Sequence, residues 1–239
     1  MSEVGSIKLT WYGHSSFLVR SPQGSVVLID PFLTGNPVYE EKRAEIKEAD
    51  VIALTHGHAD HVGDTLEIYQ RLRPKVVGMY ELVLILQGRG LTPEDSVGMN
   101  IGGEAKINNV SIAMVPATHS STYSVDEMLI PAGLACGYVF TFEDGRRLYH
   151  AGDTWLMAEM EFIRRIWSPE IVLLPVGGHF TMDLRAARIA LELLSPRIVV
   201  PMHYDTFPVI ATPEEDIRRA LSEGGAKVVI PEPGAETAV

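Results

Sequence analysis

Apolar and polar positions change their period several times along the chain, and the changes predict alternating strands and helices. Short apolar-rich runs at residues 7–12, 16–20 and 25–29 read as strands, the first two separated by Gly13-His14-Ser15 and the third entered from a Pro22-Gln23-Gly24 turn. A short charged helix is predicted over 40–47. A strand follows at 50–54, and the spacing of Val62, Leu66, Tyr69 and Leu72 predicts a helix over 62–72. Residues 75–79 read as a strand and 81–87 as a helix stopped by Gly88. After the turn at Gly102-Gly103, residues 105–107 and 110–115 form a hairpin about Asn108-Asn109, and 134–142 with 146–150 form another. The rest alternates: helix 155–167 capped by Asp153 or Thr154, strand 171–174, helix 184–194 capped by Asp183, strand 197–201, helix 214–221 and strand 228–230. Residues 120–134 read as a long loop forming a pocket wall. The tail from 231 to 239 is too small and polar to predict any element.

The chemistry concentrates in residues 51–63, VIALTHGHADHVG. An apolar run ends in Thr55 and then delivers His56, His58, Asp60 and His61, on a segment too rich in glycine and alanine to predict a packed core element. Imidazole and carboxylate suit zinc and neighbouring divalent transition metals. His56 and His58, two apart, can close on one ion from an extended loop, whereas Asp60 and His61 are turned elsewhere and can reach a second.

These residues match the H-x-H-x-D-H motif of the metallo-β-lactamase superfamily, and nearly the whole chain resembles it. The opening WYGHSSF with LIDPFLTGNP, and the later AGDT, extend the likeness to its compact metal-dependent hydrolases related to ascorbate-6-phosphate lactonase. The resemblance implies an α/β fold, an αββα sandwich of two mixed β-sheets with helices on the outer faces. Two echoing halves of the chain, joined near 102–109, suit that architecture. It implies two divalent metal ions, zinc first with manganese, nickel or iron as alternatives. His56, His58 and His119 would hold one, and Asp60, His61 and His203 the other, with Asp153 of AGDT bridging through its two oxygens. Asp30, at a strand end, is expected to orient a ligand histidine rather than to bind metal. By the same resemblance His14 lies near the metal pocket without itself binding metal; taken alone, a histidine at a hairpin turn is as often idle. His179 in GGHFTMD is expected at the rim, in substrate contact or proton transfer. His150 is expected in the core or behind the ligands, not among them.

Composition limits the reading. The 239 residues, 46% of them hydrophobic, can bury a substantial core, and no linker divides them, so one domain over 1–239 is expected. A net charge of −11 without any basic run disfavours nucleic acid as a partner. No basic-then-apolar leader and no eighteen-residue apolar run appears, which predicts a cytoplasmic protein with no membrane partner. The one cysteine, Cys136, reads as a small buried thiol.

The expected reaction is hydrolysis of a small ester, lactone or amide by a hydroxide held between two cations. Asp60 would take the proton, and His179 or His14 would stabilise the oxyanion or protonate the leaving group. Tyr123, Met128, Leu129 and Ile130 would line an apolar pocket. The family's nucleases, phosphodiesterases among them, use the same ligands, but the larger ones add a domain or RNA-binding arm. Its flavodiiron-type oxidoreductases carry a glutamate where His58 stands. A non-enzymatic metal-binding module on the same fold is the remaining alternative. The family resemblance also suggests a homo-oligomer.

Overall fold

The structure, a computed structural model, describes residues 5–40, 45–126 and 128–239. Its first sheet contains β1 (Lys8–Trp11), β2 (Phe17–Arg20), β3 (Val26–Ile29), β4 (Val51–Ala53), β5 (Lys75–Met79) and β6 (Ser96–Met99) in that order. β1, β2 and β3 pair antiparallel, and β3 to β6 pair parallel. The second sheet is formed by β7 (Glu104–Ile107) and β8 (Val110–Pro116), then, after the small hairpin of β9 (Thr122–Val125) and β10 (Met128–Pro131), by β11 (Cys136–Thr141), β12 (Arg147–His150), β13 (Ile171–Pro175), β14 (Ile198–Met202) and β15 (Lys227–Val228). Here β7, β8, β11 and β12 pair antiparallel, and β12 to β15 pair parallel.

Physical pattern explains the layering. VVLI in β3, VIA in β4, IVLLP in β13 and all but the first residue of IVVPM in β14 are buried, as parallel strands covered on both faces must be. One apolar cluster runs through both sheets, with Phe17, Leu28, Ile52, Tyr138, Phe140 and Tyr149 fully buried in it. Helices α1 (Pro37–Glu40), α2 (Ala59–Val62), α3 (Thr65–Leu72), α4 (Tyr80–Gln87), α5 (Glu159–Trp167), α6 (Leu184–Leu194) and α7 (Glu214–Ser222) complete the layers. α4 lies on β5 and β6, while α6 packs between α5 and α7. This is the αββα arrangement expected from the sequence. Among the described residues, no helix is long and apolar enough to cross a membrane.

Several expectations need correction. The helix expected over 40–47 falls partly on 41–44, outside the described residues; residues 45–47 are not helical, and the helical turn lies earlier, at Pro37–Glu40. The helix expected over 62–72 begins at Thr65, because Gly63 at φ 41° ends the single turn α2. Residues 120–134 are not an irregular loop: β9 and β10 pair in register, Tyr123 opposite Ile130. Helix α5 starts at Glu159, not 155, and neither Asp153 nor Thr154 caps it. Asp183 does cap α6, accepting from the Ala186 amide at 3.0 Å. β6 was not legible, since SVGM lacks an alternating pattern. The tail is no free end either: β16 (Glu236–Ala238) pairs antiparallel with β1 and closes the first sheet's edge.

Candidate metal centre

Each candidate ligand lies at or just beyond a strand end. β4 passes directly into His56, whose φ/ψ neighbour Gly57 is required by packing. A Cβ there would come within 2.6 Å of the Ala132 Cβ and 2.9 Å of the Thr122 carbonyl oxygen. The hairpin of β9 and β10 therefore presses against the backbone between His56 and His58, and Ser121 Oγ accepts from the Gly57 amide at 3.2 Å. α2 turns Asp60 and His61 back toward the sheet edge. His56 and His61 are completely buried, contrary to the expectation of an unpacked loop. The second sheet brings His119 after β8, Asp153 after β12 and His203 after β14.

Among the described residues, His56, His58 and His119 can each present a ligand atom within 4.8 Å of the others, and so can His14, Asp60, His61 and His203. A third set joins His56, His61 and Asp153. Asp153 links the groups: its Oδ2 lies 3.0 Å from His203 Nε2, 3.4 Å from His61 Nε2 and 3.6 Å from His119 Nε2. Oδ2 faces both sets, while Oδ1 takes a 3.4 Å hydrogen bond from Ser15 Oγ. His56 Nε2 and His58 Nδ1 stand 2.9 Å apart, close to the roughly 3.3 Å separating two nitrogens on one tetrahedral zinc. His14 Nε2 and His61 Nε2 are buried and form no hydrogen bond, each instead facing a carboxylate oxygen, Asp60 Oδ2 at 3.2 Å and Asp153 Oδ2 at 3.4 Å, an arrangement that a cation held between nitrogen and oxygen would satisfy. The donor set of imidazole nitrogens and carboxylate oxygens thus fits divalent metal ions.

A family model described as Beta-lactamase superfamily domain matches residues 8–203. The chain belongs to the metallo-β-lactamase superfamily. Within it, the chain is similar to a UPF0173 metal-dependent hydrolase of Koribacter versatilis, 40% identical over 217 residues, covering 91% of this chain and 92% of the relative. It is also similar to one of Pyrococcus furiosus, 44% identical over 232 residues, covering 95% and 97%. The solved structure of Igni18, a metallo hydrolase from Ignicoccus hospitalis, covers 98% of both chains at 39% identity with a TM-score of 0.85.

Electrostatics in this superfamily member prepare the nitrogens. Burial pushes the pKa of His56 well below the usual value and lowers those of His58 and His119, leaving neutral imidazoles for a cation. His14 falls to about 4, again chiefly through burial. Burial alone would lower His61, but the carboxylates of Asp153 and Asp30 on either side outweigh it and push its pKa well above the usual value. Burial likewise opposes ionisation of Asp153, yet His203 and His61 hold it well below the carboxylate range. Against the upward push of burial, His14 and His61 keep Asp60 low.

The supporting residues are as informative as the ligands. Asp30 Oδ2 is 2.8 Å from His61 Nδ1, and the same carboxylate accepts from the Thr55 amide and hydroxyl, so it orients His61 as the sequence suggested. The His203 amide donates to the His14 carbonyl at 2.9 Å and ties the β1–β2 turn to the end of β14. His14, Asp30 and His203 all hold positive φ, 54°, 44° and 56°, which clusters backbone strain at this edge. Thr206 was missed in the sequence. Its Oγ1 lies 3.1 Å from His14 Nδ1 and anchors that ring with Nε2 3.2 Å from Asp60 Oδ2.

Two histidines stay outside. His150 is buried, its Nδ1 accepting from the Gly152 amide and its Nε2 facing the Ser15 carbonyl oxygen at 3.1 Å; both nitrogens are used in the core. His179 is exposed in a depression beside the cleft, not among the ligand groups. The cleft itself, about 340 Å³, is lined by His58, Asp60, His119, Ser120, Asp153, Phe180 and His203. Tyr123, Met128, Leu129 and Ile130 do not line it; Met128 and Leu129 stand exposed on the hairpin.

Proposed function

We propose that this chain is a hydrolase of small esters, lactones or amides that works with two divalent cations, zinc first among them. His56, His58 and His119 hold one, Asp60, His61 and His203 the other, and Asp153 lies between. The observation that carries the reading is the position of Asp153 Oδ2, within 3.6 Å of histidine nitrogens from both sets. Bound there, such cations supply Lewis acidity, lowering the pKa of water toward about 7 and polarising a carbonyl oxygen.

The chain's own residues do the rest. Asp60, partly exposed to the cleft and held ionised by its histidine neighbours, can take a proton from the attacking water at its carboxylate. His14 Nε2 faces the Asp60 carboxylate at 3.2 Å, and Thr206 fixes the far side of the ring. Asp30 keeps His61 turned toward the centre, and Ser120 borders the open side. His179 lines the neighbouring depression, from which it would meet a leaving group that extends past Phe180. The net charge of −11 favours a small neutral substrate over a nucleic acid, which sets this reading above a nuclease.

The test is metal analysis combined with turnover of the zinc-, manganese-, nickel- and iron-loaded protein on an ester, lactone, amide and phosphodiester panel. Hydrolysis of an acyl substrate that disappears in His58→Ala together with bound metal is expected. Bound metal with no turnover of any panel member would point instead to a binding module, and phosphodiester turnover alone to the nuclease branch.

A further inference from the structure

Beside the metal cleft is a second depression of about 450 Å³, whose walls include Thr118, Trp155, His179, Phe180, Thr181 and Arg185. Phe180 lines both spaces, so the two adjoin at one ring. Trp155 and Phe180 are each 53% exposed and line the same depression, placing two aromatic side chains together beside the cleft. The floor is built, not left to chance. The Trp155 amide donates to the Thr118 carbonyl at 3.2 Å, the Thr118 amide to Thr154 Oγ1 at 2.9 Å, and the Met182 amide to the Thr154 carbonyl at 3.1 Å. Three chain segments, those following β8, β12 and β13, are thereby locked together. Two of them also carry His119 and Asp153, so the depression has a set position relative to the centre.

Its chemistry is apolar with little net charge. Arg185 pairs with Asp183 at 2.7 and 2.9 Å, so the formal charges on this wall cancel. Thr181 is more than nine-tenths buried and its hydroxyl is turned out of contact with solvent. The His179 ring stands edge-on to Phe180, with centroids 4.4 Å apart, and leaves much of the Phe180 surface open. A flat ring would stack against such a surface and remove apolar area from water on both sides.

We propose that the Trp155–Phe180 shelf is a substrate subsite that takes a neutral, planar apolar group, in the simplest case an aryl ring, of an ester whose reacting carbonyl lies in the histidine cleft. The proposal rests on the hydrolase reading above, and it replaces the hairpin residues 123 and 128–130 as the source of apolar recognition.

The experiment uses the full metal-loaded chain, with 2-naphthyl acetate against ethyl acetate as substrates and 2-naphthol as a non-reacting probe whose binding is followed by calorimetry. In Phe180→Ala and Trp155→Ala, kcat/KM for the naphthyl ester relative to ethyl acetate is expected to fall about tenfold, and 2-naphthol to bind about tenfold more weakly, the size expected for losing one aromatic face. Phe162→Ala, another exposed aromatic, on α5, is the control and should change neither. Unaltered ester preference and unaltered naphthol binding in both shelf variants would overturn the proposal, as would absence of naphthol binding to the parent protein. If neither ester is cleaved but naphthol binding weakens in the variants, the aromatic site stands and the ester part of the proposed function falls.

Discussion

The first sheet and the second repeat one order of pairing: antiparallel strands from one side, then parallel strands to the other. They supply the centre differently. The first sheet delivers His56, His58, Asp60 and His61 from one short segment after β4, stiffened by Asp30 behind it and by the hairpin against Gly57. The second delivers His119, Asp153 and His203 singly, from three strand ends. Parallel strands β12, β13 and β14 finish at the same sheet edge, so residues far apart in sequence arrive together once register is set. A contiguous cluster tolerates small errors of sheet register; a distributed one does not. Gly177 illustrates the cost, since a Cβ there would collide with the His203 carbonyl oxygen.

The sharpest way to break the comparison is Asp153→Ala. This distributed ligand faces both sets, so bound metal should fall from both, with kcat/KM down by well over about 100-fold, beyond the usual effect of an outer-shell partner; elemental analysis and kinetics check it. Two metals retained at full occupancy would mean the bridge is not where the geometry puts it. Gly57→Ala attacks the contiguous segment instead. The new methyl must displace Ala132 or the Thr122 backbone, at a cost of roughly 1–3 kcal/mol in denaturant unfolding. Bound metal should drop toward half, lost from the His56, His58 and His119 set. Asp30→Asn should lower metal affinity about 10–100-fold by releasing His61 Nδ1, as read by chelator competition. In the parent protein, apparent affinity should rise with pH, because the raised pKa of His61 means a cation there must displace a proton held between Asp30 and Asp153. The smallest effect is expected from deleting residues 236–239. The loss of β16 from β1 should cost roughly 1–2 kcal/mol, seen in thermal unfolding, with metal content unchanged.

Much of this was legible without coordinates because the signals are local. The apolar runs of β3, β4, β13 and β14 and the cap at Asp183 are each set by neighbours a few residues away. The histidine segment likewise carries its chemistry in its own spacing. Failures fell where partners are distant. GAETAV has no strand pattern of its own and becomes β16 only because β1 offers an open edge. Residues 120–134 looked like an apolar pocket wall, yet Tyr123, Met128, Leu129 and Ile130 do not line the cleft, and Phe180 from another segment supplies its apolar surface.

By itself the sequence determined which side chains could bind cations, because donor type and local spacing are properties of the chain. Only the tertiary structure decided that one oxygen of Asp153 faces nitrogens from both sets, that Thr206 anchors His14, and that Trp155 and Phe180 share a shelf. Those relations depend on where separate strands end along a common edge, and strand register is fixed by packing across the whole sandwich.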